Sequence, residues 1–248
     1  MKDLKPGGPF ALISDVHGNL PALEAVCAEI ERRGSFSLVC LGDIVGYGPF
    51  PSECLALVRS RSLLTVRGNH DDAAADTGPM PYFTAEAAAA MAWTRRVLKP
   101  AEKIWLGNLP LTAQLNGFAL AHANFFNPGS WRYTTGTSEA RLSLESLAEA
   151  VAFFGHTHRP ALYRQEEGRL FPEEFRGPVP LVPGRLLANP GSVGQPRDGD
   201  PRAAFCLVEP GRGTLELIRV AYDPAPTAEA MTAAGLPRSL ADRLVQGR

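Results

Sequence analysis

The five histidines of the chain all fall inside four short polar clusters: Asp15-Val16-His17-Gly18-Asn19, Gly68-Asn69-His70-Asp71, Ala121-His122-Ala123-Asn124 and Gly155-His156-Thr157-His158. A fifth cluster, Gly42-Asp43-Ile44-Val45-Gly46, sets a carboxylate at the end of an apolar run. Hard oxygen donors and imidazoles therefore recur wherever a strand is expected to stop, and that is how a two-metal hydrolase site is assembled. Asp15 and His17 form a compact ligand pair if a sharp turn aims both side chains at one point. Asp43 offers two carboxylate oxygens and could bridge two cations. Asn69 supplies an amide oxygen that binds a hard metal without adding charge. His156 and His158 alternate as they would in an extended segment, so one could reach each metal. Nitrogen and oxygen donors without thiolate suit Mn, Fe, Zn, Ni or Co and argue against a structural cysteine-type zinc site. Taken singly, Asp-x-His arises often by chance and Asn69-His70 also fits an ordinary turn; the weight lies in their order and shared strand-end placement.

The elements that must position these clusters can be read from periodicity. Phe10 to Ile13 is a short buried strand, and Leu20, Leu23, Val26 and Ile30 recur at helical spacing up to Gly34. Asn19 caps that helix, with Pro21 in its first turn. The run Ser37 to Leu41 ends at Gly42-Asp43, a helix spans Pro51 to Arg59, and a third run covers Leu63 to Val66. This β-α-β-α-β series puts polar residues at the C-terminal strand ends, the edge where open parallel sheets bind ligands. Helices follow over Ala85 to Leu98 and from Pro100 to Gly107. Leu111 to Leu115, the turn pair Asn116-Gly117, and Phe118 to Ala121 form a hairpin signal that places His122 at a strand end. Val151 to Phe154 delivers the last two histidines in the same way. Strands are then expected over Ala161 to Arg164, Arg169 to Phe171, Val179 to Ala188, Ala203 to Glu209 and Leu215 to Tyr222. Two sheets of mixed pairing must bury their faces on each other and beneath helices, which predicts an α/β chain folded as a layered α-β-β-α sandwich. Pro224 to Arg248 reads as a polar, alanine-rich tail forming one helix.

The 248 residues are long enough for one α/β domain, taken as 1–248 with a C-terminal tail from about 224. A formal net charge of −1, with 25 basic and 26 acidic residues interspersed, offers no footprint for a stable nucleic-acid complex or a membrane surface. Cys27, Cys40, Cys54 and Cys206 are widely spaced within apolar patterns, as buried free thiols of a reducing compartment would be. No run approaches the roughly 20 apolar residues that span a bilayer, and the N-terminus lacks a secretory stretch, so the cytoplasm is the expected location. The oligomeric state is left open.

The series Asp-x-His, Gly-Asp, Gly-Asn-His-Asp, His and Gly-His-x-His resembles that of the calcineurin-like metallophosphoesterases, in order, from Ile13 to about Ser192. The stretches Ser14 to Leu23 and Asn189 to Val193 look most like the small bacterial and archaeal phosphodiesterases of that superfamily. The resemblance implies a four-layer α-β-β-α sandwich with two mixed sheets. It also implies that Asp15, His17, Asp43 and His158 hold one divalent metal and Asp43, Asn69, His122 and His156 the other, with Asp43 as the bridge. Manganese leads the candidates, ahead of Fe, Zn, Ni or Co. Two cations about 3.5–4 Å apart can share a water and lower its pKa towards roughly 7, presenting hydroxide in line with phosphorus. By the same resemblance His70 carries no metal and faces the substrate, donating to a phosphoryl oxygen or protonating the leaving group. Its other reading is a residue that orients Asp43 or the water.

Departures from the family pattern bear on the substrate. Where many relatives read Gly-Asp-x-x-Asp-Arg-Gly, this chain reads Gly42-Asp43-Ile44-Val45-Gly46-Tyr47-Gly48. The acid that would polarise His70 and a phosphate-clamping arginine are missing, which favours a diester, carrying less charge than a monoester. Arg67 could compensate in part, or serve as a salt bridge or loop brace. Asn124 to Thr137 departs from helix or strand patterning and carries Trp131 and Tyr133, which could stack on a base or pack the loop onto the domain. Ser192, in the Asn189-Pro190-Gly191-Ser192 turn, could approach an anion or close a structural turn. The substrate is thus a small phosphate ester or nucleotide, with Asn69, His70, Arg67, Trp131, Tyr133 and Ser192 as its contacts. Alternatives are a phosphomonoesterase or protein phosphatase, a diadenosine tetraphosphate-type hydrolase, and a non-catalytic scaffold, the last disfavoured because every ligand position is filled.

Overall fold

The computed structural model describes residues 8–34, 36–76, 78 and 83–248. The N-terminal stretch 1–7, and with it the expectation of no secretory segment, lies outside the described residues. The chain begins β1 (Phe10–Ile13), α1 (Leu20–Arg33), β2 (Ser37–Cys40), α2 (Pro51–Arg61) and β3 (Ser62–Thr65). It continues through α3 (Asn69–Ala75), α4 (Ala85–Val97), α5 (Pro100–Gly107), β4 (Thr112–Leu115), β5 (Phe118–Ala121), α6 (Thr137–Glu145) and β6 (Val151–Phe153). The remainder holds β7 (Pro160–Glu166), β8 (Arg169–Glu173), β9 (Val179–Pro180), β10 (Arg185–Pro190), β11 (Ala203–Glu209), β12 (Thr214–Val220), α7 (Ala225–Ala233) and α8 (Arg238–Gln246).

The strands form two mixed six-stranded sheets, ordered β3-β2-β1-β11-β12-β9 and β4-β5-β6-β10-β7-β8. In the first, β1, β2 and β3 run parallel while β11 pairs antiparallel with β1. In the second, β5, β6 and β10 run parallel, flanked by antiparallel pairs. Phe10, Leu12, Val39, Leu41, Phe118, Leu120, Phe153 and Leu186 fill the space between the sheets. The outer face of the first sheet, with Ala11, Ile13, Cys40 and Phe205, packs on helical residues including Leu23, Val26, Leu55 and Val58. The outer face of the second sheet receives Ala140 and Leu144 of α6. Strands covered on both sides must be apolar along their whole length, and β1 is buried at every residue. The expected α-β-β-α layering is therefore present.

Several local expectations are corrected. The single strand expected over Val179 to Ala188 is two strands in different sheets, because Pro180, Pro183 and Gly184 break the ladder and the chain crosses from β9 to β10 between them. The tail forms two helices, α7 and α8, with Gly235 and Pro237 between them. Met231, Leu240, Ala241 and Leu244 pack them on Ala90 of α4, with Trp93 and Tyr47 against the same cluster. Helices α3 and α6 escape the periodicity reading. All four cysteines are buried and free. Among the described residues, no helix is long and apolar enough to cross a membrane.

Candidate metal centre

Each polar cluster follows a parallel strand at one edge of the sandwich: Asp15 and His17 after β1, Asp43 after β2, His122 after β5, and His156 and His158 after β6. Asn69 and His70 open α3 just beyond β3. The turns that aim these side chains inward are tight. Asp15, His17, Asp43, His156 and His158 all have left-handed backbone, with φ of 55°, 49°, 54°, 67° and 58°. Non-glycine residues avoid that region at a cost of order 1–2 kcal/mol each, so such clustering marks a site whose geometry is imposed by the surroundings. Gly68 permits the close approach, since a Cβ there would lie 2.1 Å from Asp43 Oδ1.

The imidazoles are oriented by backbone carbonyls. A carbonyl can only accept, so each bond places the proton and frees the opposite ring nitrogen. His17 Nδ1 donates to Val45 O at 3.2 Å, His122 Nδ1 to Leu41 O at 2.8 Å and His158 Nδ1 to Gln195 O at 2.7 Å. His156 is turned the other way, donating from Nε2 to Trp131 O at 2.9 Å. The freed nitrogens converge in pairs: His17 Nε2 lies 3.0 Å from His158 Nε2, and His122 Nε2 lies 3.2 Å from His156 Nδ1. Asp43 Oδ2 stands between the pairs, 3.6 Å from His17 Nε2 and 3.3 Å from His122 Nε2. Two donor groups able to hold a metal ion result, Asp15/His17/His158 and Asp43/His122/His156, with His17, Asp43 and His70 forming a third grouping between them.

These residues fit metal ions for a reason visible in the donors themselves. Asp15 Oδ1 and Asn69 Oδ1 are buried and accept no hydrogen bond. Facing nitrogen lone pairs at such distances repel unless a cation or a proton lies between them, and buried acceptors without a partner are costly. Nitrogen and oxygen donors with no thiolate match a divalent transition ion. Burial, reinforced by the Asp43 charge, pushes Asp15 up to about 7. His122 is opposed by its burial, yet the Asp43 and Asp15 carboxylates raise it to about 9. Burial depresses His17 and His158 well below the ordinary imidazole value and takes His156 to about 3. Without a cation the cluster is thus electrostatically strained, with His122 carrying the compensating proton.

His70 is also drawn in. Its N–H donates to Asp43 Oδ1 at 2.8 Å, and its ring packs between Tyr47, Phe83 and His17 at centroid distances of 4.5, 4.6 and 4.7 Å. Burial holds it near 4, neutral at physiological pH. Its Nδ1 has no partner, and a Cβ on Gly46 would sit 2.3 Å from that atom. Position 46 therefore has room for no side chain while His70 keeps this place.

The sequence-predicted substrate contacts divide. Tyr133 is half-exposed and stacks on His156 with centroids 4.1 Å apart. Trp131 serves the site through its carbonyl, the acceptor for His156, and its ring lies 6.1 Å from that of His122. Arg67 is turned away from the role of phosphate contact: its guanidinium donates to Gly107 O at 2.8 Å and pairs with Asp72 at 3.3 Å, which is the loop-brace reading. Ser192 is fully buried and its hydroxyl is consumed, donating to Asp15 O and accepting from Gln195 N. It closes a structural turn, so the reading as an anion contact is corrected.

Further residues hold the site together, among them members of the recognised clusters whose role at the site the sequence leaves unassigned. The Asp71 carboxylate accepts backbone N–H bonds from Asp43, Ile44, Val45 and Gly68, shaping the loop that presents Asp43. Asn189 donates to Gly155 O and Thr157 Oγ1, fixing the loop between the last two histidines. Asn19, expected as a helix cap, also donates to Gly194 O and Tyr222 Oη and accepts from Thr227 Oγ1. Arg197 lies beside Tyr47, with its guanidinium 5.6 Å from the ring centroid. A cleft of about 510 Å³ adjoins the cluster, lined by Tyr133, Thr157, Arg159, Tyr163 and Arg197 among others.

Residues 9–212 match the model of the calcineurin-like phosphoesterase superfamily domain. The uncharacterized protein MJ0912 of Methanocaldococcus jannaschii is 38% identical over 249 aligned residues, 96% of this chain and 98% of that protein. Phosphodiesterase YfcE of Escherichia coli strain K12 is 26% identical over 76% of this chain and 80% of its own. The crystal structure of a metallophosphoesterase from Sphaerobacter thermophilus superposes with a TM-score of 0.87 at 36% identity, covering 98% of this chain and all of that one.

Proposed function

Because the chain belongs to the calcineurin-like phosphoesterase superfamily, we propose that it hydrolyses a small or nucleotide-like phosphodiester at a dinuclear metal centre. Asp15, His17, Asp43 and His158 would hold one ion and Asp43, Asn69, His122 and His156 the other. The observation that carries this reading is the pair of buried donor groups meeting at Asp43 Oδ2, with the oxygens of Asp15 and Asn69 left without protein partners. Two divalent ions bound there, manganese foremost, would polarise the phosphoryl group and ease deprotonation of an attacking water.

The protein's own groups do the rest. The carbonyls of Leu41, Val45, Trp131 and Gln195 hold each imidazole in one tautomer and one orientation, so the donors need not reorganise when charge develops. Asp43 is fixed by His70 N on one oxygen, leaving the other to face both donor groups. Neutral His70 can donate an N–H to a phosphoryl or leaving oxygen without first acquiring a proton. Gly46 leaves no carboxylate on His70 Nδ1, and Tyr47 brings no charge of its own, which supports a diester over a dianionic monoester. The name of the YfcE relative points the same way. The adjoining cleft, with Tyr133 on one wall, suits the alcohol portion of a nucleotide-like ester. The buried free thiols support a reducing, cytoplasmic setting.

The test is metal analysis followed by hydrolysis of bis-p-nitrophenyl phosphate beside p-nitrophenyl phosphate, using chelator-stripped protein refilled with Mn²⁺. Close to two metals per chain and preference for the diester are expected. A saturated protein that binds no metal defeats the reading, and preference for the monoester moves it to a phosphatase.

A further inference from the structure

We propose that Arg197, seated on the Tyr47 ring, is the fixed cation that binds a phosphoryl oxygen of the substrate. The proposal rests on the phosphoesterase reading and supplies a charge that the sequence around Asp43 lacks. The Arg197 N–H donates to His158 O at 3.1 Å, so its backbone is tied to the loop that carries a metal-ligand candidate. Its guanidinium lies over Tyr47, with one amino group 2.8 Å from Gln195 Oε1 and 3.3 Å from Tyr47 Oη.

Two features mark this guanidinium as waiting for an anion. Among the described residues no carboxylate comes within ion-pair distance of it, whereas Arg164, Arg202 and Arg219 all have acidic partners. Its Nε is buried with no acceptor, and its two bonds go to neutral oxygens. A guanidinium has five N–H donors in a planar fork suited to phosphate, and the half-buried Arg197 has donors that its two bonds leave over. Arg197 also lines the cleft beside the cluster, where a bound ester would lie.

Tyr47 makes a firm platform. It has a left-handed backbone with φ of 56°, and its ring packs on His17 and His70 and against the cluster formed by Met231, Leu240 and Leu244. The residue next to Gly46 therefore contributes an aromatic face, and the cation arrives from 150 positions away. A phosphodiester carries one negative charge over two non-bridging oxygens. One oxygen can face the metal donors while the other takes the Arg197 fork.

Arg197→Met, Arg197→Lys and Tyr47→Leu in the Mn²⁺-loaded protein test the assignment. The readouts are metal content, calorimetric affinity for inorganic phosphate, KM and kcat for bis-p-nitrophenyl phosphate, and rescue by added guanidinium. Arg197→Met should keep its metals while phosphate affinity and kcat/KM fall about 10- to 100-fold, as expected for a charge-assisted bond. Added guanidinium should restore part of the turnover of that variant and none in the wild type. Arg197→Lys should fall between them, and Tyr47→Leu should lose about 3- to 10-fold through the displaced guanidinium. Unchanged phosphate affinity and KM in Arg197→Met, with metals retained, overturn the role of Arg197 while diester hydrolysis by the wild type keeps the phosphoesterase reading. Arg197-dependent phosphate binding by a wild type that cleaves no ester overturns the hydrolase reading alone. Should Arg197→Met fail to fold, the lysine and Tyr47 variants decide by the same readouts, and wild-type phosphate affinity in both overturns the proposal.

Discussion

The space between the two sheets and the rim at their strand ends are built from the same strands, yet they resolve burial in opposite ways. Between the sheets, Phe10, Phe118 and Phe153 meet edge and face at centroid distances of 5.6 to 6.2 Å, with neighbours that have no polar atoms to satisfy. A few residues further along the same strands, Asp15, Asp43, His122, His156 and His158 are as deeply buried, but with left-handed backbone or facing donors and unpartnered oxygens. The core gains free energy from every group it buries, at about 25 cal/mol per Å² of apolar surface, and the rim loses it. Such a rim persists only because the layers behind it fix the strand ends, and an incoming cation can relieve what the core cannot.

The sharpest way to break that contrast is to alter one group on each side. Asp43→Asn removes the oxygen charge shared by both donor groups. Turnover should drop to background and metal content should fall. The metal-free variant should stay folded and melt somewhat below metal-free wild type at neutral pH, because the carboxylate that holds the proton on His122 is gone. Phe153→Ala should do the reverse, costing about 3–5 kcal/mol by denaturant unfolding while metals per folded chain and turnover per folded molecule stay near wild type. If Asp43→Asn unfolds the protein, the rim is part of the stabilising core and the contrast fails.

Proton linkage offers a second way to sharpen it. In metal-free protein His122 is raised from 6.5 to about 9, so the stability it contributes is present below pH 6.5 and lost as pH rises through about 9. Asp15, raised from 3.8 to about 7, binds its proton more tightly folded than unfolded, so it too favours the fold at low pH and loses that contribution as pH rises through about 7. Because His17, His70, His156 and His158 are depressed and gain stability only up to about their unfolded value of 6.5, chelator-treated protein should have a lower Tm near pH 9 than near pH 7.5. Metal ions displace these protons, so the Tm gain on adding Mn²⁺ should grow over the same interval. A gain that shrinks with rising pH would mean that protons and metal do not compete for this cluster.

How much of this was legible beforehand follows from where each signal resides. Strands such as Phe10–Ile13 and Phe118–Ala121 carry their signal in consecutive residues, and each cluster announces a strand's end, so the layering and the donor set could be read directly. Helix α3, Asn69–Ala75, is too short and too poor in large apolar residues to show a period, and α6 offers mainly Ala140 and Leu144. In the tail, Leu240 and Leu244 stand at helical spacing, but the surrounding polar and alanine residues hid a face that packs on α4. Asp71 and Asn189 stand inside motifs that the sequence singles out, but their roles, like that of Arg197 in the stretch that follows, are not visible there. Their importance comes from partners 28 to 150 positions away, a separation that only the fold closes.

The smallest expected effect isolates the backbone cost of the rim from its electrostatics. His158 has φ of 58°, and its side chain bonds Gln195 O through Nδ1. His158→Gly and His158→Ala both remove that bond and the ring nitrogen aimed at Asp15, so the difference between them reports mainly on the left-handed backbone. Glycine adopts it freely, whereas alanine does not, though glycine gives back part of the gain through the entropy of its unfolded chain. In metal-free protein the glycine variant should be the more stable by about 1 kcal/mol, read from denaturant midpoints at matched slopes. At Ala188, buried in β10, the order should invert, with Ala188→Gly costing about 1 kcal/mol or more because an extended strand gains nothing from glycine's freedom. Opposite signs at the two positions would locate the strain at the rim. Equal stability of the two His158 variants would mean that its turn is held without cost, and that lone pairs and charges alone separate the site from the core behind it.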